Sequence, residues 1–159
     1  MNPSDDFTAV PLESFRSNPC SPVWPRSGPV LGIRIRAPSR VSTASPFQIP
    51  LCGAYSLPAK ELPPGGVLEL EALVRGPLDG TLVVSLAPPD APPPEPRVPL
   101  SDAGLAGLRV GGYFNADLVA HAPIAWEPGV YRIRVRLGKV VSNQVAVEVV
   151  AEGEAGGNR

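Results

Sequence analysis

The sequence predicts an all-β protein: one two-layer antiparallel sandwich of about seven strands with no major helix. Three observations carry that prediction. Apolar and polar residues alternate with period two in segment after segment, the pattern of half-buried strands. The 159 residues include 22 prolines and 16 glycines, which weaken helix interiors and punctuate chains of short strands. No stretch sustains a helical apolar stripe, and Ser101 to Leu108 offers one turn at most, capped by Ser101.

Residues 1–28 read as an extended arm rich in Pro and Ser, because Pro19, Pro22 and Pro25 forbid a regular helix there. Phe15 and Trp24 either lie on the domain's own surface or belong to a partner-binding segment. The domain spans 29–150, and 151–159 form a flexible tail. Leu31, Ile33 and Ile35 alternate with Gly32, Arg34 and Arg36 as the first strand. Phe47, Ile49 and Leu51 alternate with Gln48, Pro50 and Cys52. Pro50 has no N–H to give a ladder, so that strand is expected at an edge or with a bulge. Leu68, Leu70, Ala72 and Val74 follow, then Leu82, Val84 and Leu86 beyond the Asp79-Gly80 turn. The run Pro88 to Pro96 is a stiff loop or a proline docking motif. Phe114, Ala116 and Leu118 supply one face of a further strand.

The clearest strands close the chain: Tyr131, Ile133 and Val135, then Val141, Val145, Val147 and Val149. Both apolar rows must share the core, so directly paired residues must both carry odd numbers. A three-residue Arg136-Leu137-Gly138 loop satisfies that parity, pairing Val135 with Lys139 and Ile133 with Val141. The expected core holds Ile33, Ile35, Tyr131, Ile133, Val135, Val145 and Val147, with Arg132, Arg134 and Arg136 facing outward.

The stretch Glu127-Pro128-Gly129-Val130-Tyr131-Arg132-Ile133 resembles the acidic-x-Gly-x-Tyr-x-Cys opening of the sixth strand in immunoglobulin-like domains. The tyrosine of that family hydrogen-bonds back around the corner between strands. Ile133 stands where the family carries cysteine. Ser142 to Val147 is similar to the closing strand of many bacterial immunoglobulin-like and fibronectin-like modules. The resemblance implies an immunoglobulin-like sandwich without the family's disulfide, and it implies no activity.

Fourteen basic against fifteen acidic residues give a net charge of -1, which argues against nucleic-acid binding by phosphate neutralisation. No apolar run reaches the roughly 20 residues of a membrane span. The acidic N-terminal stretch lacks the charge and apolar core of a secretory signal, so a cytoplasmic location is expected. There, Cys20 and Cys52 are expected to be free, the alternative being a staple that pins the N-terminal arm. His121, flanked in sequence by Asp117 and Glu127, is the only histidine. It is a poor start for a metal site or a nucleophile–base pair. No cofactor, metal or catalytic set is expected.

Arg34 and Arg36 on one strand and Arg132, Arg134 and Arg136 on another would form a basic stripe if the strands were neighbours. Its readings are a solvated face answered by Glu69, Glu71 and Glu148, or a surface for an acidic protein segment. The expectation for function is a non-catalytic intracellular protein- or peptide-binding module. It would act through a strand edge, at Pro50, or through the arginine face, with Trp24 as a further contact. Alternatives are a proteinase-inhibitor-like sandwich using the proline loop or residues 120–128, and an accessory subunit tethered by its arm.

Overall fold

The computed structural model describes residues 7, 17–23, 32–44, 46–61, 70–77, 80–86, 109–122 and 124–153. Among them the chain is all-β and forms two sheets. In chain order the strands are β1 Gly32–Arg36, β2 Arg40–Ser42, β3 Pro50–Pro58, β4 Leu70–Arg75, β5 Thr81–Ser85, β6 Arg109–Asp117, β7 Gly129–Leu137, β8 Val140–Val141 and β9 Val145–Val150. One four-residue helix, α1 Leu118–His121, follows β6. The smaller sheet runs β1-β3-β6, and the larger runs β2-β9-β7-β4-β5, with β8 paired to β7. The expectation of an antiparallel sandwich of about seven strands is corrected in two respects: the described residues form nine strands, and one pairing is parallel. β2 lies parallel to β9, Arg40 opposite Glu148 and Ser42 opposite Val150, so the larger sheet is mixed.

The core lies between the sheets and is built from the inward parity of each strand. Ile33, Ile35, Leu51, Ala72, Val74, Phe114, Tyr131, Ile133, Val135 and Val147 are all buried in one cluster. Val145, expected among them, is only partly buried against it. Trp126 joins the core, its ring centroid 4.8 Å from that of Tyr131. The Tyr131 hydroxyl donates to the backbone oxygen of Glu127 at 2.8 Å. Burial pushes its pKa up, the hydrogen bond to Glu127 pulls it back, and the Glu127 charge raises it. The phenol therefore remains a proton donor at ordinary pH.

Two expectations about strand placement are overturned. β3, which carries Pro50, is the middle strand of its sheet. Proline is tolerated because Pro50 is the first residue of the strand, where the missing N–H interrupts little of the ladder. The anchor is instead the residue before it. Ile49 N–H donates to Asp117 Oδ1 at 3.0 Å, and Ile49 C=O accepts from Leu118 N–H at 3.1 Å.

The closing hairpin differs too. Leu137 pairs with Val140 and Arg136 with Val141 across a two-residue turn, and Gly138 has φ 59°. That register puts Val141 on the arginine face, where it is 45% exposed. Further on, however, Ile133 pairs with Val145 and Tyr131 with Val147. One extra residue has entered β8–β9, a bulge that returns the odd-numbered valines to the core. Ser142 holds it: its N–H donates to Val135 C=O and its Oγ accepts from Val135 N–H, both at 2.8 Å. The bulge also frees Asn143. Its Oδ1 accepts from Ile35 N–H at 2.8 Å and its Nδ2 donates to Ile35 C=O at 3.1 Å, so an amide side chain stands in for a neighbouring strand beside β1.

Candidate functional site

The outer faces of the two sheets receive the predicted arginines separately. Arg34 and Arg36 project from β1 in the three-stranded sheet, and Arg132, Arg134 and Arg136 from β7 in the larger one. The five-arginine stripe is therefore corrected: strand parity placed each side chain outward, but the two strands are not neighbours.

On the three-stranded sheet the outward row Arg36, Cys52 and Asn115 runs across all three strands in register. Cys20 is bonded to Cys52 in a disulfide, their Cα atoms 5.9 Å apart, which replaces the free cysteines expected. Cys20, Cys52, Ala54 and Asn115 are buried, and Phe7 packs with the disulfide in a second small cluster. Arg36 takes part in this cover. Its Nη1 donates to the backbone oxygens of Pro19 and Cys20 at 3.4 and 3.3 Å, and its guanidinium lies 5.4 Å from the Phe7 ring centroid. Arg36 thus holds the chain's own N-terminal segment.

The larger sheet presents a different face. Arg136 is paired with Glu71 through a fork of its Nε and Nη2. Glu148 lies 3.6 Å from Arg40. Arg132 stands directly opposite Arg75, and Arg134 directly opposite Leu73. Among the described residues no carboxylate pairs with Arg75, Arg132 or Arg134. Apolar residues surround them: Val83 is opposite Leu73 and 49% exposed, Val130 is 42% exposed, and exposed Ala146 is opposite Arg132. Arg75 joins these arginines only through the pairing of β4 with β7, although it extends the outward parity of Glu71 and Leu73 by one step.

Trp24, Phe15, Glu69, the 88–96 proline run and the 101–108 turn lie outside the described residues. His121 sits in the last turn of α1. Asp117, which flanks it in sequence, caps that helix, its Oδ1 accepting from Val119 N–H at 3.0 Å as well as from Ile49. No group of three or more His, Cys, Asp and Glu gathers in metal-binding geometry among the described residues. No helix among them is long and apolar enough to cross a membrane. A cleft of about 350 Å³ is lined by Val74, Pro77, Leu82, Ile124, Glu127 and Tyr131 among others. Comparison with protein-family models, curated proteins and solved structures gives no match.

Proposed function

We propose that the protein is a non-catalytic binding module that engages an acidic protein segment on the outer face of the larger sheet. One observation carries the reading. Arg75 and Arg132 are paired directly across neighbouring strands, beside Arg134, with no carboxylate among the described residues to answer them. Like charges directly opposite each other destabilise a sheet, so the trio weakens the free protein and is relieved when carboxylates dock. Guanidinium forks suit carboxylates, and the exposed valines beside them add apolar area. The strand edge at Pro50 drops out, because β3 is flanked on both sides.

An immunoglobulin-like relationship remains part of this reading. It is supported by the Tyr131–Glu127 hydrogen bond at the start of β7 and by the order of strands in the two sheets. The disulfide favours an oxidising working compartment over the cytoplasm, where thiols are kept reduced.

The test is a titration with a short peptide alternating Glu and Val, set against its Gln-for-Glu counterpart and followed by backbone amide shifts. The acidic peptide should move the β4 and β7 amides and weaken with added salt. The double variant Arg132→Glu, Arg134→Glu should fold normally and lose the response. Equal affinity in that variant and indifference to salt would reject the arginine face as the binding surface.

A further inference from the structure

We infer that Arg75, Arg132 and Arg134 form a site for one tetrahedral dianion, the phosphate of a phosphorylated side chain on the docking protein segment. The inference rests on the acidic-segment reading and narrows which acidic group the surface takes. All three arginines are exposed. The carboxylates that bound them along the strands are engaged elsewhere, Glu71 with Arg136 and Glu148 with Arg40. The ladder sets the spacing. Leu86 N–H donates to Leu70 C=O at 2.9 Å, Ser85 is opposite Glu71, and hydrogen-bonded pairs alternate along an antiparallel ladder. Thr81 and Arg75 are therefore a close non-hydrogen-bonded pair, with Cα atoms about 4.5 Å apart. Arg75 and Arg132 are a hydrogen-bonded pair about 5.5 Å apart. Arg134 follows Arg132 on the same face, about 7 Å along β7.

Three guanidinium groups on so short a span favour one concentrated anion over several dilute ones. A carboxylate brings a single negative charge, and three carboxylates crowded over these arginines would repel one another. A phosphomonoester brings a charge of about −1.5 to −2 and three acceptor oxygens on one stem. Arg75 and Arg132, side by side, each present a fork of N–H donors to such a group, and the long stem of Arg134 brings a third. Exposed Thr81, opposite Arg75, adds a hydroxyl donor in the same row. The neighbouring row supplies apolar cover for the segment that carries the phosphate: Leu73 is half-buried, and Val83 opposite it is exposed. Arg36 on the other sheet offers nothing comparable, because its guanidinium already donates to the carbonyls of Pro19 and Cys20.

The test titrates the full chain with three short peptides of alternating Ser and Val that differ at the central serine: phosphorylated, unmodified, or replaced by Glu. Inorganic phosphate is the fourth probe, and backbone amide shifts of β4 and β7 are the readout. At pH 7.5 the phosphopeptide should bind at least about tenfold more tightly than the Glu peptide. That advantage should shrink by pH 5, as the phosphate passes from dianion to monoanion near pH 6. Guanidinium groups keep their charge across this range, so the change belongs to the ligand. Arg75→Gln, which relieves a like-charge pair, should keep the wild-type amide spectrum elsewhere and lose the preference for phosphate over Glu. Equal binding of the phosphorylated and Glu peptides, or an advantage that does not change with pH, would overturn the inference and leave the acidic-segment reading standing. Inorganic phosphate binding as tightly as the phosphopeptide would overturn it too, since the segment would then contribute nothing. No response to any of the peptides would reject both.

Discussion

The two sheets begin from the same strand alternation and end with opposite outer faces. The outward positions of the three-stranded sheet carry Arg34, Arg36, Cys52, Ala54 and Asn115, and the last three are buried. The outward positions of the larger sheet carry Leu73, Arg75, Val83, Arg132, Arg134 and Ala146, and most are exposed. The difference is that Cys20 and Phe7 pack on the first face, Cys20 bonded to it through Cys52. Two sheets have two outer faces, and the described part of the N-terminal segment is fastened to one of them. Covering one face adds a second, minor apolar layer there and leaves the other as the place where strand side chains meet solvent. Arginine illustrates this best: on the first face Arg36 is an internal fastener, and on the second Arg132 and Arg134 have no carboxylate among the described residues.

The largest expected effect comes from placing charge on the covered face. Ala54 is 0% exposed, and Ala54→Arg should cost more than about 3 kcal/mol, because the guanidinium must displace the cover or remain buried without a partner. The matched change on the open face, Ala146→Arg, should stay within about 0.5 kcal/mol. Equal denaturant midpoints for the two variants would show that the first face is not covered in solution. Removing the fastening comes next. Cys20→Ser with Cys52→Ser opens a link that spans 32 residues, for which chain-entropy arguments give about 3–4 kcal/mol. Hydrogen exchange should rise at Cys52 to Ala54 and at Asn115, while β4 and β7 keep their protection until global unfolding. A uniform rise across both sheets would mean that the staple stabilises the whole fold and not one face.

How much of this was legible in the sequence follows from what parity can and cannot say. Period two placed Ile33, Ile35, Tyr131, Ile133, Val135 and Val147 inward and the arginines outward, and each of those orientations is observed. Parity gives a face and no neighbour, so alternation could not decide whether β1 and β7 were adjacent, the condition on which the five-arginine stripe depended. It also admits more than one register. The odd-numbered valines reach the core through a three-residue loop or through a two-residue turn followed by a bulge, and only Ser142, with a side chain able to hold Val135, distinguishes the second. Pro50 misled because a proline at the first position of a strand and one in its middle look alike in sequence. The disulfide is only an alternative at the level of sequence, because two cysteines carry no pairing information until the chain brings their Cα atoms within reach. The arginine surface was half visible: Arg132 and Arg134 were expected, and Arg75 became a member only once β4 was known to lie against β7.

The smallest effect is also the one that separates the two faces at the level of a single residue type. Arg36→Ala removes two long hydrogen bonds to Pro19 and Cys20 and the stacking over Phe7. The Pro19 carbonyl is at the surface and can turn to water, whereas that of buried Cys20 loses a partner, so the loss should be about 1–2 kcal/mol. Arg134→Ala removes a guanidinium that stands beside Leu73 and one residue pair away from the opposed Arg75 and Arg132. Relief of repulsion and loss of packing by its aliphatic stem oppose each other there, and the midpoint should move by less than about 0.5 kcal/mol. Salt sharpens the contrast. Added salt screens the like charges of the open face and should raise the stability of the wild type slightly, and that rise should shrink in Arg134→Ala. In Arg36→Ala the rise should persist, because Arg75, Arg132 and Arg134 still face one another on the open face. Two arginines with equal midpoint shifts and equal salt slopes would mean that both faces are simply solvated, and the division between a fastened face and a docking face would fall.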